Sequence, residues 1–282
     1  MYPILAKCRL NDRVVLIEVL APFVARRCQP GQFVIIRVDS LGERIPLTIA
    51  DFDRSLDKIT LIYQELGYST KKLSTKNVGD SLQDILGPLG EPAGLSFTGK
   101  VLGIGGGVGA APLYPQLKQL AAQGVQVDVI LGGRTDQMVI LESEFCTFAH
   151  QVTVATDDGS RGMQGTVVDA LRIKADTESY DRVIAIGPLP MMRAVVQQTK
   201  VLNIPTTVSL NPIMIDGTGM CGGCRVTVAG VTKFACVDGP DFDGFLVDFD
   251  ECMRRQTTYQ RQESDYDKRH SCRIGLEGMD HV

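Results

Sequence analysis

Three cysteines stand close together in one glycine-rich segment, and cysteine thiolates are ligands for metals. Cys221 and Cys224 form a C-x2-C pair, and Cys236 lies twelve positions further on. Thiolates at such spacings hold zinc ions or iron–sulfur clusters, and both kinds of site usually take four protein ligands. The segment therefore predicts a metal centre for which one more ligand has to be found.

The fourth ligand has two candidates. Plant-type iron–sulfur clusters begin with C-x4-C-x2-C and take a fourth cysteine from further along the chain. Asp216 occupies the position five before Cys221, where that pattern has its first cysteine. Cys252 is the alternative, sixteen positions beyond Cys236. A carboxylate can bind iron and Asp216 preserves the spacing, so we favour Asp216 and keep Cys252 open.

Structural zinc is the alternative to an iron–sulfur cluster in this segment. A zinc ribbon usually adds a second C-x2-C or two paired histidines, whereas the three histidines of this chain are scattered at positions 150, 270 and 281. Glycines at 217, 219, 222 and 223 let backbone N–H groups approach sulfur, which tunes the potential of a cluster. We therefore predict a [2Fe–2S] cluster held by Asp216, Cys221, Cys224 and Cys236.

Four loops rich in glycine or polar residues each follow a predicted strand. They are GIGGGVGAAP (103–112), GGRT (132–135), TDDGSRG (156–162) and GPLPMM (187–192). Open parallel sheets bind ligands where the carboxyl ends of their strands meet, and glycines before a helix N-terminus bind a pyrophosphate. Together the loops predict a nicotinamide-nucleotide site. Its predicted residues are Gly105, Gly106, Gly107, Val108, Gly109, Arg134, Asp157, Asp158, Gly187, Pro188 and Met191.

Some of these residues have a second explanation. Arg134 suits a ribose as well as a 2′-phosphate, so the sequence does not choose between NADH and NADPH. Asp157 and Asp158 are equally well explained as turn and cap residues. The nucleotide site is therefore predicted from the four loops together and not from any one of them.

Two stretches in the first third of the chain predict a flavin site. ERIPLTIAD (43–51) places a cation and a hydroxyl on one strand, and YQELGYSTKKL (63–73) ends a strand in residues that can cap a helix. The free amides of such a helix bind a diphosphate. An ordinary hairpin with a capped helix is the alternative, and the downstream nucleotide loops favour the flavin. The predicted flavin-binding residues are Arg44, Pro46, Leu47, Thr48, Ile62, Tyr63, Gln64, Gly67, Ser69 and Thr70.

The elements that must position these loops fall into successive units. Residues 1–97 alternate short apolar runs with turn residues, which predicts an antiparallel β-barrel. Residues 98–210 alternate five strands with helices at 111–124, 138–149, 165–174 and 189–202, which predicts a doubly wound parallel sheet. Residues 211–249 have no helical period and are assigned to the cluster. Residues 250–282 form a polar tail, predicted to be a solvated helix or an arm that contacts a partner.

Composition limits the classes of function. With 44% hydrophobic and 22% charged residues, the chain is typical of a globular protein. A net charge of −4 leaves no basic face, so no nucleic acid is expected as a partner. Lys7, Arg9 and Asp12 interrupt any signal-peptide core, and the longest uncharged run, 101–117, is too rich in glycine, alanine and proline for a membrane span. We therefore predict a cytoplasmic protein.

The order of the motifs resembles the ferredoxin–NADP reductase superfamily, in which a flavin-binding barrel precedes a nucleotide-binding α/β domain. Members bind flavin with Arg-x-Tyr-Ser/Thr and Gly-x-x-Ser/Thr motifs and close a Gly-Pro-x-Pro-Met segment over the nicotinamide. Residues 187–191 match the last of these. Arg44 lies one residue earlier than in the first motif, whose tyrosine is missing, and Ile186 stands where many members have a cysteine.

A more specific resemblance runs over nearly the whole chain. RIPLTI, GYSTKKLS, GIGGGVGAAP, TDDGSRGMQG, GPLPMM and the cysteine segment occur in this order in electron-transfer subunits similar to that of dihydroorotate dehydrogenase. Among these, the chain looks most like the small (alpha) subunits of NADH-dependent ferredoxin:NADP oxidoreductases, also described as sulfide dehydrogenase subunits. Such subunits carry one FAD and one [2Fe–2S] cluster beside a larger flavin and iron–sulfur subunit. They have aspartate at the position of Asp216, where dihydroorotate-type subunits have cysteine.

The resemblance implies an oxidoreductase subunit, in a heterodimer or larger complex, that passes electrons between NAD(H), FAD and the cluster. NADP(H) remains an alternative nucleotide. No side chain is expected to act as an acid or base, because the cofactors carry the chemistry. Two other functions stay open. One is the same relay serving a dihydroorotate dehydrogenase, and the other is a zinc-stabilised docking module with an idle reductase fold.

Overall fold

An antiparallel sheet of seven strands occupies the first third of the computed structural model, which describes residues 1–270. Its elements are β1 (Tyr2–Arg9), β2 (Val14–Leu20), α1 (Pro22–Ala25), β3 (Phe33–Arg37), β4 (Arg44–Asp53), β5 (Lys58–Gln64), α2 (Tyr68–Thr75), β6 (Ser81–Leu82) and β7 (Asp84–Leu89). The strands follow the order β6-β1-β2-β5-β4-β3-β7 and form a near-closed barrel. The prediction of an antiparallel barrel is confirmed.

Alternation of apolar residues decides which face of the barrel strands is buried. In β2, Val15, Ile17 and Val19 are buried on one face. Leu16 and Glu18, which alternate with them, are partly exposed on the other face. The three buried side chains pack with Ile36 of β3 and Leu61 of β5 in one apolar core. The core fixes β4, β5 and α2, which carry the predicted flavin residues.

A second, mainly parallel sheet follows the barrel. Its elements are β8 (Lys100–Gly106), α3 (Ala110–Ala122), β9 (Gln126–Gly133), α4 (Glu142–Phe145), β10 (Gln151–Thr156), β11 (Met163–Gln164), α5 (Val167–Thr177), β12 (Arg182–Ile186), α6 (Leu189–Val201) and β13 (Thr206–Ser209). The order along this sheet is β11-β10-β9-β8-β12-β13. The chain moves outward from β8 in both directions, so the topological switch point lies between β8 and β12, where such sheets bind ligands. The predicted doubly wound sheet is confirmed.

The helix predicted over residues 138–149 is wrong in its extent. A 3₁₀ turn covers Asp136–Met138, and α4 is a single helical turn of four residues. Leu141 between them has a φ of 62°, in the left-handed region that interrupts a right-handed helix. The apolar residues of this stretch are still packed in the core, with Ile140 buried in the loop and Phe145 buried at the end of α4.

The cysteine segment contains three strands that its sequence pattern does not predict, and two helices follow in the tail. The strands are β14 (Arg225–Val228), β15 (Val231–Phe234) and β16 (Asp241–Asp243), and the helices are α7 (Phe249–Gln256) and α8 (Gln260–His270). β14 and β15 form a hairpin, and β16 pairs antiparallel with β13 at the edge of the nucleotide sheet. The segment that carries the cysteines is thereby attached to the nucleotide unit.

The predicted polar tail divides into two parts. α7 buries Phe249 and Cys252 against the core, so this helix is docked and not solvated. α8 is exposed along residues 260–265, as predicted for a solvated helix, and residues 271–282 lie outside the described part of the chain. No helix within residues 1–270 is long and apolar enough to cross a bilayer.

A capping box begins α5 and gives a test of local stability. Thr166 Oγ1 accepts a hydrogen bond from the backbone N–H of Asp169, and Asp169 Oδ2 accepts one from the N–H of Thr166 at 2.9 Å. We expect Thr166→Ala to lower the free energy of unfolding by about 1 kcal/mol, because helix amides lose their acceptor. Thr166→Ser, which keeps the hydroxyl, should lose much less in a denaturant titration. Equal losses for the two variants would exclude the cap as the cause.

Candidate electron-transfer site

One pocket of about 1000 Å³ lies between the barrel and the nucleotide sheet and extends to the cysteine segment. Residues from both sheets line it, as do Met214 and Pro240 from the segment beyond β13. The sequence-predicted residues on its wall are Pro46, Leu47, Thr48, Ile62, Tyr63, Gln64, Gly67, Ser69, Thr70, Gly106, Gly107, Val108, Gly109, Gly187 and Pro188. The structure therefore brings most of the predicted flavin and nucleotide residues to one cavity.

The barrel side of the pocket offers a helix N-terminus. α2 starts at Gly67, where a Cβ would meet no atom within 4 Å, so ligand atoms can approach the backbone. Thr70 Oγ1 accepts the N–H groups of Leu66 and Gly67 at 3.1 and 3.2 Å and holds the turn in place. Ser69 donates its hydroxyl to Glu43 at 2.7 Å. Free amides and the helix dipole at this point suit a diphosphate.

Tyr63 lies behind this helix and has a structural contact for its hydroxyl. The side chain is 2% exposed, and the Ser74 hydroxyl donates to its oxygen at 3.2 Å. Burial raises the pKa of Tyr63 to about 12, so the phenol stays neutral. Arg44, by contrast, lies exposed at the start of β4 and is not on the pocket wall, although Glu43 and Ile45 beside it are.

The nucleotide side is built from two loops that approach each other closely. Gly109 immediately precedes α3, and a Cβ there would clash with the carbonyl group of Ile186 and lie 2.7 Å from the Cα of Gly187. Met191 packs its sulfur against Gly106 and Gly187 and so fills the space between the loops without lining the pocket. Glycine is required for this approach, and it leaves backbone amides open toward a pyrophosphate.

The predicted residues after β9 and β10 are not on the pocket wall, although Thr135 beside Arg134 is. Arg134 and Asp157 are exposed. Asp158 accepts the N–H and hydroxyl of Ser160 at 3.0 and 2.6 Å, and these hydrogen bonds lower its pKa. Asp158 is therefore a turn residue in this structure. The sequence did not predict the ion pairs of Arg161. Its guanidinium pairs with Asp136 and Glu142, so its positive charge is balanced by these carboxylates.

Two of the predicted cluster ligands touch. The Sγ atoms of Cys224 and Cys236 lie 3.1 Å apart, both side chains are buried, and burial with the neighbouring thiol raises the pKa of Cys236 to about 12. Cys221 is exposed and accepts the N–H of Gly223 on its sulfur at 3.4 Å. Within residues 1–270, no three His, Cys, Asp or Glu side chains converge tightly enough to enclose a single metal ion.

Asp216 is part of the same loop. Its two oxygens accept the N–H groups of Thr218 at 2.8 Å and of Cys221 at 2.6 Å, which lowers the pKa of the carboxyl and keeps it ionised. Cys252 is buried on α7, in the same apolar core as Cys224 and Cys236. Three thiols, an ionised carboxylate and an N–H directed at sulfur are a donor set that fits an iron–sulfur cluster.

Three variants distinguish the two candidates for the fourth ligand. If Asp216 binds iron, Asp216→Ala should lower the iron content measured after anaerobic purification, because one ligand is lost. Asp216→Cys should keep the iron, since it completes the C-x4-C-x2-C pattern. Cys252→Ala is expected to keep its iron as well. Iron lost in Cys252→Ala and retained in Asp216→Ala would reverse the assignment.

Two family models match the chain. The iron–sulfur cluster binding domain of dihydroorotate dehydrogenase B matches residues 211–248, and the oxidoreductase NAD-binding domain matches residues 104–197. The first covers all four proposed cluster ligands. The second covers the loops after β8, β9, β10 and β12.

Relatives and solved structures agree with these models. A homologue of the dihydroorotate dehydrogenase B (NAD(+)) electron transfer subunit from Thermotoga maritima is 44% identical over 92% of this chain and 92% of its own. The electron transfer subunit of Bacillus caldolyticus is 39% identical over 76% of this chain and 84% of its own. A chain from the structure of the NADH-dependent reduced ferredoxin–NADP oxidoreductase superposes with a TM-score of 0.92, at 40% identity, over 96% of this chain and 98% of its own.

The barrel, the nucleotide sheet and the cysteine segment define an electron-transfer oxidoreductase of the ferredoxin–NADP reductase fold. The chain belongs to the family of dihydroorotate dehydrogenase B electron-transfer subunits and their homologues. The resemblance stated from the sequence is confirmed. The prediction of FAD, a [2Fe–2S] cluster and NAD(H) as cofactors is supported by the two family models and the shared fold.

Proposed function

We propose that this chain is the NAD(H)-linked subunit of a complex of the ferredoxin:NADP oxidoreductase type, and that it exchanges electrons with a larger flavin and iron–sulfur subunit. The proposal is supported most by the shared pocket. Flavin-type residues of β4, β5 and α2 and nucleotide-type loops after β8 and β12 face the same cavity, and Met214 and Pro240 extend its wall toward the cysteines. Such an arrangement brings two organic cofactors and a metal centre within one small region.

The residues of the pocket hold and orient the cofactors. Amides at the start of α2 bind the flavin diphosphate, and those of residues 106–109 bind the nucleotide pyrophosphate. Pro188 lies on the pocket wall, in the segment that would close over the nicotinamide, and Met191 packs against Gly187 of that segment. When bound, the flavin exchanges hydride with the nicotinamide and single electrons with the cluster. Asp216, Cys221, Cys224 and Cys236 hold that cluster.

The resemblance given above implies aspartate at this position in subunits of the ferredoxin:NADP type and cysteine in those of the dihydroorotate type, so Asp216 supports the former. Both carboxylate oxygens of Asp216 accept backbone hydrogen bonds from the loop that carries Cys221. These bonds fix the position of the carboxylate, as a metal ligand requires. The alternative function is the electron-transfer subunit of a dihydroorotate dehydrogenase, the name under which the relatives are described. A partner flavin subunit that oxidises dihydroorotate would establish that alternative.

The division of the chain follows from the same proposal. We assign residues 1–97 to FAD, 98–210 to the nucleotide, 211–249 to the cluster and 250–282 to a polar tail. The gap between β7, which ends at Leu89, and β8, which begins at Lys100, supports the first boundary. β16, which belongs to residues 211–249, pairs with β13 and so joins this unit to the nucleotide sheet. A cytoplasmic location remains a prediction from the sequence.

Analysis of the bound cofactors tests the proposal. Protein purified anaerobically with its partner should contain about two irons with acid-labile sulfide for each chain, together with one FAD. A single zinc ion without flavin would contradict the electron relay and support the docking module. Flavin without iron would limit the chain to a reductase that lacks its metal centre.

A further inference from the structure

A carboxyl–amide pair, formed by half-buried Asp241 and buried Gln116, lies directly behind the wall of the pocket. Asp241 on β16 accepts a hydrogen bond on Oδ2 from Nε2 of Gln116 on α3, at 3.0 Å. Gln116 is 1% exposed, and Asp241 stands opposite Ser209 in the β13–β16 pairing. Ser209 and Pro240, which precedes Asp241 in the chain, both line the pocket. The pair thus joins the nucleotide helix to the strand that follows Cys236.

Each member of the pair has one oxygen without a partner. Asp241 Oδ1 and Gln116 Oε1 are both buried, and neither has a hydrogen-bond partner within the described part of the chain. Unpartnered buried acceptors are costly and rare in native proteins. A carboxylic acid and a primary amide can exchange two hydrogen bonds, N–H to one carboxyl oxygen and the acid O–H to the amide oxygen. One proton on the Asp241 carboxyl would therefore supply a donor to a pair in which each member has an unpartnered acceptor.

The surroundings favour the neutral form of Asp241. Burial raises the pKa of Asp241 to about 6, although the nearby Ser209 side chain and the amide of Gln116 act in the opposite direction. β13 carries no charged residue, and the charged side chain of α3, Lys118, is paired with a barrel aspartate. Asp243, the other acid of β16, is exposed and accepts a backbone N–H. Negative charge added in the pocket would favour protonation of Asp241 further, because like charges disfavour ionisation.

We propose that Asp241 and Gln116 form a proton-binding site that takes up one proton from solvent when the cofactors in the adjoining pocket are reduced. The inference rests on the proposed function for the arrival of electrons, which the nicotinamide nucleotide supplies. For each proton bound, the carboxylate of Asp241 becomes a carboxylic acid, and its new O–H donates to Gln116 Oε1. Reoxidation returns the proton to solvent. The site thereby balances one negative charge added nearby and makes reduction more favourable at lower pH.

The first test titrates the oxidised holoprotein and needs no electron transfer. Infrared difference spectra of wild type minus Asp241→Asn should show a protonated-carboxyl band below pH about 6 that disappears above it. Asp241→Asn should still fold and keep its cofactors, because the asparagine amide can pair with Gln116 through the same two positions. Asp243→Asn is the matched control, because Asp243 lies on the same strand but is exposed. The difference spectrum of Asp243→Asn minus Asp241→Asn should show the same band. No band dependent on Asp241 at any pH between about 4 and about 8 would overturn the proposal.

The second test compares the oxidised and reduced states of the holoprotein, with dithionite as the reductant. Reduction should raise the proton affinity of Asp241 by about tenfold, one unit of pKa, so the carboxyl band persists to higher pH. In Asp241→Asn the flavin potential should depend less steeply on pH than in wild type or Asp243→Asn. Identical carboxyl titrations in the two states would overturn the redox link. Dithionite replaces NADH as the reductant in this test. The redox link of Asp241 can therefore be measured even if the protein does not react with NAD(H).

Discussion

Replacement of Cys224 by serine is expected to leave the chain without its iron–sulfur cluster. Cys224 is buried and touches Cys236, so its thiolate has no substitute at that position in the loop. Iron content should fall from about two atoms for each chain to nearly none, and the visible absorbance of the cluster should disappear. FAD should remain bound, because the flavin residues lie on the barrel and on α2.

The matched control for this experiment is Cys146→Ser. Cys146 is a free, exposed thiol that follows α4, and it belongs to neither the pocket wall nor the cysteine segment. Its replacement should leave iron, sulfide and flavin unchanged. Retention of the full iron content in Cys224→Ser would show that other residues hold the metal, and the assignment of this segment would then be wrong.

Replacement of Gly109 by alanine is expected to weaken nucleotide binding by about tenfold or more, which corresponds to about 1.4 kcal/mol. The added Cβ would meet the backbone of Ile186 and Gly187, and neither can rotate away as a side chain can. The loop after β12 must therefore shift away from the loop after β8. This shift would alter the part of the pocket that is proposed to hold the nucleotide. The measurement is a titration of flavin reduction with NADH in the holoprotein.

Gly94→Ala provides the control for the change of glycine to alanine. A Cβ at Gly94 would meet nothing within 4 Å, and its φ lies outside the left-handed region. Nucleotide affinity and FAD content should both stay at the wild-type level. Unchanged NADH affinity in Gly109→Ala would contradict the proposed pyrophosphate site, whereas loss of FAD in Gly94→Ala would mean that the substitutions act through general destabilisation.

Local patterns predicted the parts of the molecule in which neighbours in sequence decide the structure. β8, β9, β10 and β12 are largely apolar runs bounded by glycine or polar turns, and the alternating pattern of the sequence predicted each of them. The same holds for α3 and α6. The prediction of a helix over residues 138–149 was wrong, because the pattern of hydrophobic residues does not show that Leu141 has a left-handed φ.

Contacts between distant residues explain what the sequence could not predict. β16 has three residues, too few for a periodic signal, and it is a strand because it pairs with β13. The Asp241–Gln116 pair joins positions 125 residues apart. The loop glycines and the cysteine spacing were predictable, since they carry their chemistry locally. The pairing of Arg161 with acidic residues was not, because no pattern links them.

The most direct test of the electron relay is an electron paramagnetic resonance spectrum of the anaerobic complex after addition of NADH. We expect NADH to bleach the flavin and also to produce the signal of a reduced [2Fe–2S] cluster, which Cys224→Ser should lack. Wild-type protein in which NADH reduces the flavin, while a cluster that dithionite can reduce stays oxidised, would contradict the relay.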